Sequence, residues 1–163
     1  MEATKPEDRP RNRDDMEYEI RYSIRLLTLH ANLARNADVL LTGATLLGLA
    51  GGVGSMVNQS GILASVAGGA LTVVAVAQVL FKPAEKKLQA NFRKQSYADL
   101  WSRFRRLSDD EIDSELAKLH GSDLNEIEGL RLIAEFDVCK ELGLDETELT
   151  PMTTWNRLLK AVS

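Results

Sequence analysis

Between residues 39 and 81 the chain carries no Asp, Glu, Lys, Arg or His. A helix on a soluble surface shows one face to water and interleaves charge with apolar residues. An uncharged block of this length has instead the composition of a membrane segment. The block divides at "NQSG", residues 58–61. As helices, residues 39–57 rise about 28 Å and residues 62–81 about 30 Å. Each length matches a hydrocarbon core of about 30 Å. The pattern therefore predicts a transmembrane hairpin over 38–82, with spans 39–57 and 62–81 and a turn at 58–61. A helix satisfies its backbone polar groups internally, as hydrocarbon demands.

The flanks set the orientation. Arg21, Arg25 and Arg35 precede the block, Lys82, Lys86, Lys87, Arg93 and Lys94 follow it, and the turn is uncharged. Basic residues favour the cytoplasmic side, so both termini are expected there, with Arg35, Lys82, Lys86 and Lys87 closest to the bilayer. A net charge of −4 offers no basic field for nucleic acid, and none is expected as a partner. No short apolar core follows the initiator, so no secretory signal peptide is expected.

Outside the block the periodicity is helical, and no period-two strand pattern stands out. Residues 1–14, polar and with Pro6 and Pro10, are expected to be a disordered tail. Over 15–37, Tyr18, Tyr22, Leu26, Leu29 and Leu33 form one helical stripe with Arg21, Arg25 and Arg35 off it. Asp14 and Asp15 sit where a helix start favours negative charge. Pro83 suits the first turn of a new helix, on which Tyr97, Leu100, Trp101, Phe104 and Leu107 recur as a stripe. "SDDE" at 108–111 is a capping box opening a helix that ends near Leu119. Asp123 is placed as the next cap and Gly143 as the terminator of a helix reaching Leu142. Thr150 and Pro151 open a last helix with Trp155, Leu158, Leu159 and Val162. The expected fold is all-α: an amphipathic N-terminal helix, a two-span hairpin and a cytoplasmic helical region over 83–163. In that region Tyr97, Trp101, Phe104 and Trp155 are expected to pack.

The glycine-rich "GLAGGVG" has no following Lys-Ser or Lys-Thr and is flanked by leucines, which argues against a phosphate loop. Its glycines serve helix packing better. Gly48 and Gly52 lie four apart, as do Ala50 and Gly54, Ala64 and Gly68, and Ser65 and Gly69. Small residues at this spacing let backbones approach in lipid. Gly48, Gly52, Gly54, Gly68 and Gly69 are thus the expected packing or oligomer interface, either between the two spans or between subunits. Thr42, Thr45, Ser55, Ser65, Thr72 and Gln78 line a wet path or, more commonly, bond to helix carbonyls. No intramembrane charge points to a relay or filter.

His30, His120 and Cys139 do not make a spaced metal set, and the lone cysteine allows no internal disulfide framework. No nucleophile–base–acid set is visible. No catalytic, cofactor-binding or metal-binding residue, no cofactor and no enzymatic activity are expected. Asp109, Asp110, Asp113, Glu126 and Glu128 alternate with apolar residues as solvated helix faces do. The stretch 82–106 is basic and 109–148 acidic, so the first suits an anionic lipid surface and the second can pair with it.

The layout of "YEIRYSIRLLTLHANLARNADVLLTGATLLGLAGGVGSM", then "ILASVAGGALTVVAVAQVLFKPAEKKLQANFRKQSYADLWSRF", then "IAEFDVCKELGLDETELTPMTTWNRLLKAV" resembles the SLATT family. These are the SMODS- and SLOG-associating two-transmembrane effectors of bacterial conflict systems. The resemblance covers about residues 15–162. It implies a small effector of the bacterial inner membrane that oligomerises in the lipid bilayer and forms a pore or disrupts the membrane in antiviral defence. The chain carries no fused sensor, so a separately encoded sensor or activator is the implied partner. The competing expectation is a non-pore adaptor or scaffold whose cytoplasmic helices dock a partner protein.

Overall fold

The computed structural model describes residues 11–57, 61–120, 127–144 and 149–163, without the side chains of 50–57 and 61–68. Helix α1 is Arg13–Val57, α2 Gly61–Phe81 and α3 Pro83–Arg103. A 3-10 turn at Phe104–Arg106 leads to α4 at Asp109–His120, α5 at Glu128–Leu142 and α6 at Thr154–Val162. The fold is all-helical, with no strand among the described residues.

The helix expected over 15–37 and the span expected over 39–57 are one unbroken 45-residue helix, about 68 Å long. No Pro or Gly stands between Arg35 and Thr42 to interrupt it. Asn12 opens it: the Asp15 carboxylate accepts the Asn12 N–H at 3.3 Å, and the Asn12 carbonyl accepts the Met16 N–H at 3.0 Å. The expected tail over 1–14 is corrected at its C-terminal end. Arg13 donates to Asp109 at 2.6 Å and to the Phe104 carbonyl at 2.8 Å, and Arg11 donates to Asp113 at 3.2 Å. The rest of that tail, residues 1–10, lies outside the described residues.

The chain after the turn runs back along α1. Arg13 sits over the Phe104 ring, Arg21 over Trp101, and Leu71 against Gly48. One arm of this antiparallel pair is thus continuous, and the other is interrupted once, between α2 and α3. Lys82 there adopts φ 41°, ψ 55°. The cause is Pro83, whose ring disfavours the right-handed helical region in the residue before it. Left-handed geometry costs a non-glycine residue about 1–2 kcal/mol. Backbone bonding is nonetheless kept on both sides: the Lys82 N–H donates to Gln78 and the Lys82 carbonyl accepts from Lys86, each at 3.1 Å.

Two apolar stripes run along the first half of α1. Met16, Ile20, Leu27 and Ala31 pack with Ala90, Tyr97, Leu100 and Phe104 of the α3 arm and with Ile112 and Leu116 of α4. Leu26 and Leu29 pack with Leu130, Ile133 and Ala134 of α5 and Leu159 of α6. At 100° per residue the stripes lie about 150° apart. The stripe read from the sequence is the second one. At the capping box expected at Ser108, the Glu111 carboxylate reaches back as expected, accepting both the Ser108 N–H and the Ser108 hydroxyl at 2.8 Å. These bonds hold the Glu111 carboxyl below its usual pKa. Gly143 closes α5 at φ 67°, and Asp123 falls outside the described residues.

The last helix is capped by Thr153, not Thr150: the Thr153 hydroxyl accepts the Asn156 N–H at 3.2 Å. Pro151 consequently lies ahead of the helix. This register turns Asn156 and Leu159 inward and leaves Trp155 64% exposed, correcting its expected packing role. Gly129 lets α6 approach α5 closely, since a Cβ there would stand 2.6 Å from Leu159 Cδ1.

Salt bridges tie the second shell of helices to α1. Arg25 grips Asp137 of α5 through Nε at 2.8 Å and Nη2 at 2.6 Å, and Lys160 of α6 reaches the same carboxylate. Burial alone would raise the Asp137 carboxyl, but the hydrogen bonds from Lys160 and Arg25 outweigh it and hold it below the ordinary 3.8. A carboxyl depressed in the fold stabilises it above the unfolded pKa, and that contribution is lost as pH falls through the folded value. Asp137→Asn is expected to cost about 1–2 kcal/mol in urea unfolding at pH 7 and less at pH 3. An equal cost at both pH values would contradict the pairing.

Candidate functional site: an apolar arm and its basic collar

Beyond Asp38 the α1–α2 pair projects away from the packed core formed by the other helices. Most of its described large side chains are apolar and open. Val39, Leu40, Leu46, Leu47 and Leu49 of α1, and Val73, Val76, Val79, Leu80 and Phe81 of α2, are all at least half exposed. Leu41, Thr45 and Gly48, with Leu71, Val74 and Gln78, are partly buried at helical spacing along the seam between the two helices. Among the described residues no helix is long and apolar enough to cross a membrane. The side chains described within the uncharged block are those of 39–49 and 69–81, and each stretch is shorter than the roughly 20 residues a span requires.

The predicted glycine interface divides on inspection. A Cβ at Gly48 would stand 2.7 Å from Leu71 Cδ2, so this glycine serves contact between α1 and α2 of the same chain. Among the described residues a Cβ at Gly69 would meet nothing within 4 Å, and neither would one at Gly43. The surroundings of Gly52, Gly54 and Gly68 lie outside what is described. The Thr45 hydroxyl donates to the Leu41 carbonyl of its own helix at 2.9 Å, the bland alternative for a span hydroxyl.

The collar of basic residues stands where arm and core join. Arg35 is exposed on α1. Lys82 is paired with Glu85 at 3.2 Å, Lys86 near the α3 start is exposed on the side of α3 that faces α1, and Lys87 is partly buried beside it. The predicted packing residues of α3 behave as a group: Tyr97 and Phe104 are buried, and Trp101 lies 5.2 Å from the Phe104 ring beneath the Arg21 guanidinium.

Two features escaped the sequence reading. The stripe through Met16, Ile20 and Leu27 was masked by the interleaved charges of "EYEIRYSIR". The junction of Arg25, Asp137 and Lys160 spans three helices that no local spacing links. Cys139 is buried beside Tyr18, whose hydroxyl is pushed up to about 12 by burial first and by the neighbouring Cys139. Among the described residues no group of three His, Cys, Asp or Glu side chains could hold a metal.

No known protein family, no curated protein and no solved structure matches this chain.

The glycine geometry generates a direct comparison. Gly48→Val is expected to lower the thermal midpoint of the full chain in mild detergent, because overpacking a tight contact costs about 1–3 kcal/mol. Gly69→Val, at an open position, is expected to leave it unchanged. Circular dichroism melts check this, and equal midpoints for the two variants would remove the assigned α1–α2 contact.

Proposed function

We propose that the chain is an integral membrane protein whose arm, residues 39–81, sits in the bilayer with both termini on the cytoplasmic side. In this reading it self-associates and acts as a pore-forming or membrane-disrupting effector of a bacterial defence or conflict system. A separately encoded sensor or activator triggers it. The effector part rests on the resemblance to the SLATT layout.

The observation that carries the membrane part is the open aliphatic surface of the arm. Taking one such side chain out of water is worth about 1.5–3 kcal/mol. Ten of them stand half or more exposed on a charge-free arm, so their summed transfer is of the same order as the about 5–15 kcal/mol that holds a typical domain folded. A surface of that kind needs a cover. Lipid suits it because the exposed positions occupy every direction except the α1–α2 seam. The charge at the base of the arm fits the same reading, with Arg35, Lys82, Lys86 and Lys87 at the level of anionic headgroups.

A second reading, a membrane adaptor without pore activity, is favoured by α6. Trp155, Leu158 and Val162 form an exposed apolar stripe on it, a suitable docking face for another protein.

Expressed in bacteria, the full chain is expected to stay with the membrane fraction through an alkaline carbonate wash and to collapse the membrane potential, read by a potential-sensitive dye. Release by carbonate would overturn the membrane reading. Retention without depolarisation, even with the helices after residue 82 removed, would favour the adaptor over the effector.

A further inference from the structure

Along α3 the side facing α1 recurs at heptad-like spacing, with Pro83, Ala90, Tyr97, Leu100 and Phe104 buried. In such a seam every third or fourth residue is normally apolar. Here two positions in the same register, Lys86 and Arg93, are cationic. Neither makes an ion pair among the described residues, and short side chains, Ala34 and Ala37, stand across from them on α1.

The seam consequently does not close. A groove of about 680 Å³ lies there, bounded by His30, Leu33 and Ala37 of α1, Phe81 at the end of α2, and Lys86 and Arg93 of α3. That volume falls in the range of about 300–1,000 Å³ typical of small-molecule sites. The left-handed geometry at Lys82 turns the chain at this level, where α2 gives way to α3. At His30 and Arg93 the groove joins a smaller recess of about 200 Å³ beside Tyr22 and Tyr97.

His30 marks the inner wall. Its Nε2 is buried and has no hydrogen-bond partner among the described residues. A buried polar atom without a partner is rare in folded proteins and calls for an acceptor or donor that is absent. The charged and titratable groups around it are Lys86 and Arg93 from α3, and Glu19 from α1 with His120 from α4. The last two are paired with each other at 2.7 Å. No carboxylate lines the larger groove among the described residues. Burial, and then the nearby Lys86, hold the His30 ring below its usual pKa. An anion in the groove would reverse that second effect.

We propose that this groove binds the phosphate of an anionic amphiphile, with Lys86, Arg93 and His30 on the oxyanion and Leu33, Ala37 and Phe81 along its apolar stem. Arginine offers a planar fork to phosphate oxygens and lysine a compact charge. The His30 Nε2–H gains the acceptor it lacks. Two sources carry this chemistry. One is a phospholipid headgroup, which rests on the reading of 39–81 as a membrane arm. The other is a free phosphate ester with an apolar group.

The test uses the full chain in non-ionic detergent with labelled histidine rings, the His30 signal being assigned by His30→Gln. Octyl phosphate is expected to shift that signal saturably, whereas octyl glucoside is not. Arg93→Ala and Lys86→Gln are each expected to weaken binding about tenfold. Lys86 is exposed, so its variant stands in should Arg93→Ala fail to fold. No saturable shift, or unchanged affinity in a folded variant, overturns the proposal.

Nanodiscs separate the sources. A His30 shift in phosphatidylglycerol discs but not in phosphatidylcholine discs assigns the site to lipid. Octyl phosphate binding with no shift in either disc assigns it to a free phosphate ester and removes the lipid source. Failure of the chain to enter discs counts against the membrane arm alone and leaves the octyl phosphate result standing.

Discussion

A helix with apolar stripes on two nearly opposite sides cannot rest on one neighbour. α1 is such a helix between Met16 and Leu33, and the arrangement of the core follows from enclosing it. One stripe takes α3 and α4, the other α5 and α6. The wedge between the stripes on one side holds Arg21 and Arg25, which reach out to Glu141 and Asp137 of α5. The wedge on the other side holds Glu19, Ser23 and His30, and it lines the recess rather than a sealed interface. Because α1 continues without a break into the uncharged arm, whatever fixes its lower half also fixes the base of the arm. The helices after residue 82 therefore grip the arm through α1 as well as through the chain connection at Lys82.

That connection is the second constraint. A straight α2–α3 helix would match α1 along its whole length. Pro83 prevents it, because the residue before a proline is driven out of the right-handed helical region. Lys82 takes the strained alternative, and the two neighbouring helices keep their backbone bonds through it. The arm and the core are thereby joined at one turned residue on one side and by a continuous helix on the other. Force on α2 reaches α3 across that single residue. The groove lies at the same level, lined by Phe81 at the end of α2 and by Lys86 and Arg93 of α3.

The sequence was most informative where local chemistry decides the structure. The Ser108–Glu111 box, Gly143 with its positive φ, and Pro83 as a helix opener were legible because each depends on residues within four positions. The all-helical class followed from periodicity for the same reason. Where two local solutions compete, the reading slipped: Thr150-Pro151 and Thr153 are both good openers, and only the packing of Asn156 and Leu159 against α5 selects the second. Trp155 reads as one of an apolar set with Leu158, Leu159 and Val162, but of that set only Leu159 is buried. Least legible was what depends on three-dimensional neighbours. "NRD" at 12–14 reads as part of a polar tail, yet Arg13 finds Asp109 and the carbonyl of Phe104 some ninety residues away. Lys86 and Arg93 read as a membrane-flanking charge run. Their place in the α3 seam, opposite two alanines and a histidine, emerges only when α1 is set beside them.

The glycines of the arm bear on how such a hairpin could associate with copies of itself. Close helix approach requires a small residue whose outward face is free. Gly48 does not have one, since Leu71 of the same chain fills the space above it, and it is thereby committed to holding α1 against α2. Gly43 and Gly69 are the reverse, glycines with no neighbour within 4 Å among the described residues. At 100° per residue Gly43 lies about 140° around α1 from Gly48, on a face that α2 does not cover. A second subunit approaching at backbone distance would therefore meet the Gly43 or Gly69 face and leave the Gly48 contact intact. Under that geometry each hairpin stays a unit during assembly, and subunit association and hairpin integrity respond to substitutions at different glycines.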